Sequence, residues 1–155
     1  MKVRTYDRLL ILLSVLGVLL STYALYVELK VEANPNYKAF CDFSERASCT
    51  RVLTSKYAKG LGIIDEGSYL RLPNPIYGTI HFCIMIILSA YDSLVTTNIQ
   101  FSLAGISSLL CCYLAYNLIY VLKDICIVCI STYLINGTML FLIWSKFKRQ
   151  AKKIA

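Results

Sequence analysis

Lys123-Asp-Ile-Cys-Ile-Val-Cys-Ile-Ser-Thr-Tyr133 leads directly into an apolar run that continues to Trp144. Such a run can cross a bilayer, because about 20 apolar residues span a hydrocarbon core about 30 Å thick. Its opening carries Cys126 and Cys129 in C-x-x-C spacing. At i and i+3 of a helix the two sulfurs share one face, and a helix start offers unpaired N–H groups and a positive dipole end that favour a thiolate. The thiolate is the reactive form. The same spacing serves zinc sites and ordinary packing, but no second C-x-x-C or histidine pair completes a metal site here. The stretch therefore reads as a redox-active dithiol that can exchange electrons with a species dissolved in lipid.

The rest of the chain agrees with a membrane setting. Of 155 residues, 57% are hydrophobic and 16% charged, and the mean hydropathy is +0.61, which is not the balance of a soluble domain. Besides Ile125 to Trp144, three further apolar stretches read as spans: Leu9 to Val27, Ile76 to Val95 and Ile99 to Leu122. The second carries His81 and Asp92, and its clean apolar part stops near Tyr91, so its helix is either tilted or ends at Tyr91. Lys2 and Arg4 before the first stretch also fit a signal peptide, but apolar character continues through Tyr23-Ala-Leu-Tyr-Val27, which favours a retained span. The expectation is an all-α membrane protein, one integral domain over 1–155. Its four-transmembrane-helix bundle is covered by a cap loop at about 28–75, with short helical pieces near Ser48 to Lys56.

Orientation follows from the ends. Lys2, Arg4 and Arg8 flank the first span, and Lys146, Lys148, Arg149, Lys152 and Lys153 follow the last, so both termini are expected in the cytoplasm. The long loop holds seven basic and six acidic residues, which nearly cancel. The C-x-x-C and the loop then face the exterior or lumen, where disulfides persist, and Asp92 to Asn98 faces the cytoplasm. The net charge of +7 is largely that of the two cytoplasmic ends, set against anionic headgroups, and calls for no nucleic acid. Lys152 and Lys153, third and fourth from the C-terminus, resemble a dilysine retrieval signal and so point to the endoplasmic reticulum membrane. Asn136-Gly-Thr138 has the form of a glycosylation acceptor but falls inside the last span, out of reach of the luminal enzyme.

Cys41 and Cys49 are the loop's cysteines, eight positions apart. They could close a static ring contributing roughly 2 to 3 kcal/mol. Beside a membrane dithiol on the same side they make a relay instead, in which a loop thiolate attacks the Cys126–Cys129 disulfide and two electrons pass inward. Exchange needs mobility, and the loop around Ser44 to Ser48 is polar enough to supply it. Cys83, Cys111 and Cys112 lie within spans as small packing residues. His81, the single histidine, is a packing group or a proton donor. Tyr23, Tyr26, Tyr77, Tyr91 and Tyr120 mark interfacial belts. Asn74, between two prolines at the mouth of the second span, and Tyr133, at i+4 from Cys129, can both donate to a carbonyl and flank a site for a quinone oxygen. A turn role for Asn74 and an interhelical bond for Tyr133 are the plain alternatives.

Taken together, Cys41 and Cys49 with the following Thr-Arg-Val, Asn74 with Ile-Tyr-Gly, and Cys-Ile-Val-Cys-Ile-Ser-Thr-Tyr over 126–133 resemble the vitamin K epoxide reductase family, in order and spacing, from Tyr23-Ala-Leu25 onward. The resemblance implies a four-helix bundle that reduces vitamin K 2,3-epoxide to the quinone and the quinone to the hydroquinone. It makes Cys129 the thiolate that meets the ring and Cys126 its resolving partner. Cys49 then re-reduces Cys126, and Cys41 takes electrons from a luminal thioredoxin-like thiol protein. Asn74 and Tyr133 would bond the substrate oxygens. No permanently bound cofactor is implied, only the vitamin K substrate and a dithiol reductant. Leu53 stands where the family commonly has a pocket phenylalanine, which bears on affinity for substrate and for the coumarin inhibitors the family binds. Bacterial relatives run the reaction in reverse as quinone-linked disulfide oxidases, and the residues do not set that sign. Claudin-like four-span structural proteins also carry a loop cysteine pair, but they depend on loop tryptophans, whereas the one tryptophan here is Trp144.

Overall fold

The computed structural model describes residues 3–43, 48–65 and 67–152. Its helices are α1 (Val3–Ala33), α2 (Cys49–Leu53), α3 (Asn74–Ser89), α4 (Leu94–Tyr116) and α5 (Ile127–Ala151). A π-helical turn, Asn117–Leu122, extends α4. Extended chain pairs at an isolated bridge between Lys59 and Pro73. Among the described residues three helices are long and apolar enough to cross a membrane: α1, α4 with its π turn, and α5.

The fourth expected span is shorter than the sequence implies. Instead of running over 76–95, α3 has 16 residues, about 24 Å of helix. The cause is Tyr91-Asp-Ser93, where polar groups take over. Ser93 caps α4 by accepting from the Val95 amide, and Asp92 accepts from the Gln150 side chain at 2.7 Å. Thr96 to Asn98, expected between the spans, are already helical. Pro75 fits the first turn of α3, where its missing N–H would have no partner in any case. In the other direction α1 runs past Val27 to Ala33, because Glu28, Leu29, Lys30 and Glu32 are good helix formers and take six residues from the expected loop. The short helical piece expected near Ser48 is present as α2, capped by Ser48, which accepts from the Arg51 amide at 3.2 Å.

The bundle has two buried centres, with α1 lying along α3 and α5, and α5 along α4. In the half near the termini Leu10, Phe82, Met85, Ala104, Met139 and Ile143 form one cluster. There α1 and α3 approach closely at Gly17, where a Cβ would stand 2.6 Å from the ring of the fully buried Phe82. In the half near the loop Ala24, Val27, Val52, Leu53, Leu118 and Val128 enclose Cys41, Cys49 and Cys126. Lys152 caps the end of α5; Lys153, the other half of the dilysine pattern, and residues 44–47 lie outside the described residues.

Candidate active site

Cys126 is the N-cap of α5, with extended backbone, and its sulfur accepts from the Cys129 amide at 3.3 Å. The expected pairing at i and i+3 thus holds with one refinement: Cys126 sits just outside the helix and Cys129 in its first turn. A sulfur in the position of a capping oxygen satisfies an orphan N–H, and that bond favours the thiolate. Cys126 is fully buried, Cys129 partly so.

Cys41 and Cys49 form a disulfide, and the Cys126 sulfur lies 3.7 Å from that of Cys49 across 77 positions of sequence. The loop pair is held by Asp42. Its carboxylate accepts from the Ser48 hydroxyl at 2.9 Å, the Thr50 amide at 3.0 Å, the Ala39 amide at 3.1 Å and the Thr50 hydroxyl. Burial pushes this carboxyl up, but the bonds from Thr50, Ser48 and Ala39 outweigh it and hold the group below the ordinary carboxylate range. Arg51 reaches across to Asp124 in a forked pair, Nε to Oδ2 at 2.9 Å and Nη2 to Oδ1 at 2.6 Å. Hydrogen bonding from Arg51 lowers the Asp124 carboxyl as well.

Below the sulfurs opens an apolar cavity of about 310 Å³. On α5 it is lined by Cys129, Tyr133 and Asn136, one helical stripe at i, i+4 and i+7. Leu53, Tyr57, Leu61, Asn74 and His81 line it from the other side. Cys129, Tyr133, Asn74 and Leu53 therefore all line one space, while Cys126 stands behind Cys129 toward the loop. The model of the vitamin K epoxide reductase family matches residues 8–144. Vitamin K epoxide reductase complex subunit 1 of Rattus norvegicus is 33% identical over 147 residues, 92% of this chain and 91% of that one. The Mus musculus protein of the same name is 33% identical over 146 residues, 88% of each.

The chain belongs to the vitamin K epoxide reductase family. Around this cavity several local features escape a reading by motif. Asn74 is committed to the loop: its Oδ1 accepts from the Leu61 amide and its Nδ2 donates to the Tyr57 carbonyl, both at 2.7 Å. One amide hydrogen remains for a ligand. The segment it holds, Gly60-Leu-Gly62, has three consecutive left-handed residues, φ 61°, 57° and 69°; glycine takes this conformation freely, whereas for Leu61 it is strained and needs such support. Cys111, read as packing, lines the cavity, as does His81. Asn136 is buried and accepts from Ser107 of α4 at 2.8 Å, an interhelical role in place of glycosylation. The glycines around Leu61 were the available sequence signal for the strained loop; the Arg51–Asp124 pair had none.

Proposed function

We propose that this chain reduces vitamin K 2,3-epoxide to the quinone and the quinone to the hydroquinone. The observation that carries the reading is the unbroken line of sulfur from loop to cavity: the Cys41–Cys49 disulfide, Cys126 at 3.7 Å from Cys49, and Cys129 on the cavity wall. In the epoxide step the Cys129 thiolate adds to a ring carbon and opens the epoxide. The Cys126 thiolate then attacks the Cys129 sulfur, the carbon–sulfur bond breaks, and the oxygen leaves as water. Two thiols become one disulfide and the ring gains two electrons. In the quinone step the same dithiol supplies two electrons, and two protons complete the hydroquinone. Tyr133 and the remaining Asn74 N–H stabilise negative charge as it develops on the ring oxygens.

The relay then runs inward. The Cys49 thiolate attacks Cys126 and frees Cys129; Cys41 attacks Cys49 and frees Cys126. The observed pairing, loop oxidised and cavity pair reduced, matches the state reached after this transfer. A thioredoxin-like thiol protein of the lumen reduces Cys41–Cys49 to complete the cycle. The setting that suits this chemistry is a four-span bundle in the endoplasmic reticulum membrane with both termini cytoplasmic and the loop as a luminal cap; basic residues at both ends and Lys152 support it. In that setting α3, shorter than the hydrocarbon core, is accommodated by local thinning of the bilayer. The apolar wall around Leu53 accepts the isoprenoid tail and forms the place where coumarins bind.

The test is turnover of vitamin K epoxide by the purified protein in detergent with a dithiol reductant, beside Cys129→Ala and Cys126→Ala. Quinone formation by the unmodified chain, lost in both variants, is the expected result. A folded chain that turns over no epoxide, yet oxidises a dithiol protein at the expense of a quinone, would assign it to the quinone-linked disulfide oxidases instead.

A further inference from the structure

The contact between Cys49 and Cys126 joins two pieces of chain that have little reason of their own to stay together. Helix α2 has five residues, too few to persist without tertiary support. Residues 123–126 form a four-residue connection that begins with Lys123 in the left-handed region, φ 53°, and has a single bridge residue, Ile125. Between these pieces the forked bond of Arg51 to Asp124 lies at a matched offset, two residues beyond Cys49 on one side and two before Cys126 on the other. Asp42 organises α2 and the disulfide within the loop, but its carboxylate bonds stay within residues 39–50. The Arg51–Asp124 pair crosses to the cavity dithiol.

We propose that Arg51 and Asp124 are positioning residues for the internal electron transfer, a clasp that holds Cys49 in line with Cys126. Arg51 suits the task because its planar fork fixes direction as well as distance, which a lysine cannot do. The pair is open to water on one side, with the Arg51 side chain 49% exposed and Asp124 14%, so it can part and re-form while the helices stay in place. Its part in the relay is to raise the effective concentration of one sulfur at the other; neither residue touches the reacting substrate. The inference rests on the relay proposed above, and it is independent of which quinone is reduced.

The experiment measures that effective concentration directly. In a Cys41→Ser, Cys129→Ser chain only Cys49 and Cys126 of the site can pair, and the fraction disulfide-bonded is followed by mass spectrometry across a series of glutathione buffers. Adding Arg51→Ala is expected to lower the effective concentration about tenfold, well within what a displacement of about 1 Å produces in oriented reactions. Arg51→Lys is expected to fall between, and the reversed pair Arg51→Asp with Asp124→Arg to recover most of the loss. The same ordering is expected in turnover driven by a thioredoxin-like protein. Turnover driven by dithiothreitol in a chain lacking both loop cysteines is expected to be unchanged. An effective concentration within twofold of the parent in folded Arg51→Ala overturns the proposal, as does failure of the reversed pair to recover in a folded chain. Should Arg51→Ala not fold, Arg51→Lys and the salt dependence of the parent decide by the same criterion. If the clasp behaves as stated while vitamin K epoxide is not turned over, the substrate reading fails and the clasp stands.

Discussion

The two ends of this bundle are both fastened by an ion pair between distant residues, and the pairs are built for different purposes. Near the termini Lys146 meets Asp7 at 2.6 Å, with the lysine side chain wholly buried and the aspartate 12% exposed. Around them Gln150 bonds Asp92, and Gln100 bonds Ser89, both at 2.7 Å. At the loop end Arg51 and Asp124 are joined by two directional bonds and half open to water. A buried pair cannot part without stranding a charge in a low dielectric, so it locks α1 to α5. An exposed pair costs little to open, so it suits the contact that the proposed relay requires to form and break.

The largest expected effect follows from this contrast. Lys146→Met leaves Asp7 buried and uncompensated and should destabilise the folded chain by about 3 to 5 kcal/mol, whereas Lys146→Met with Asp7→Leu should come out near neutral. Denaturation in mild detergent measures both. A single variant as stable as the parent would mean that water reaches Asp7 and that the two ends are less different than argued. By the same reasoning Arg51→Ala should leave global stability within about 1 kcal/mol while slowing the relay.

The packing of the two halves differs in the same sense. Gly17→Ala drives a methyl group to 2.6 Å from the ring of Phe82, which is fully buried. Overpacking of this kind costs about 1 to 3 kcal/mol. At Gly78, beside the cavity, an added Cβ meets the Ser21 hydroxyl at 2.9 Å. Ser21 lines the cavity and its hydroxyl can rotate, so Gly78→Ala is expected to cost under about 0.5 kcal/mol. Equal melting temperatures for the two variants would break the distinction between a close-packed half and a half that keeps room for a ligand.

What could be read from the sequence was whatever repeats along it or sits at fixed spacing. Three of the spans are apolar runs of sufficient length. The C-x-x-C at a helix start, Tyr133 one turn below Cys129, and a helical piece after Ser48 all follow from local rules, and each lies where those rules place it. The end of α3 was legible only as an alternative, a stop near Tyr91, because Val95 prolongs the apolar run while Ser93 has already started the next helix. The clasps left no trace at all: Asp7 and Lys146, or Arg51 and Asp124, are ordinary charges until folding brings them together. Asn74 shows the middle case. Its residue type and place at the mouth of the second span pointed to a donor for substrate, and the structure reveals that most of its amide first holds the loop at Leu61.

Leu53 allows a smaller test of the loop half. It lines the cavity and is buried against the loop-side core, where an aromatic ring could stack on a quinone. Leu53→Phe is expected to strengthen binding by about 0.5 to 1.5 kcal/mol, roughly two- to twelvefold in KM for the quinone, with kcat little changed. Weaker binding would mean that the added ring fills space the substrate needs, and that the cavity is matched to leucine.

The smallest effect expected concerns acid, and it separates carboxylates from thiols. Asp42 and Asp124 are both held below the ordinary range, so the folded form binds their protons less readily than the unfolded chain does. The sign follows: their contribution is complete above the unfolded value, about 4, and is lost as pH falls through the lowered folded values. Stability of the loop half, read as resistance of the 28–75 segment to proteolysis by an acid-active protease, should therefore be flat in these groups from about pH 5 upward and should weaken only below about pH 4. Asp42→Asn removes one charged acceptor facing the Ala39 amide and the Thr50 hydroxyl, so it should loosen the segment at neutral pH and flatten the acid response. A parent chain whose loop opens near pH 6 to 7 would contradict this. The opening would then belong to a group of higher pKa, and the carboxylates at the loop end would be bystanders to the exchange they border.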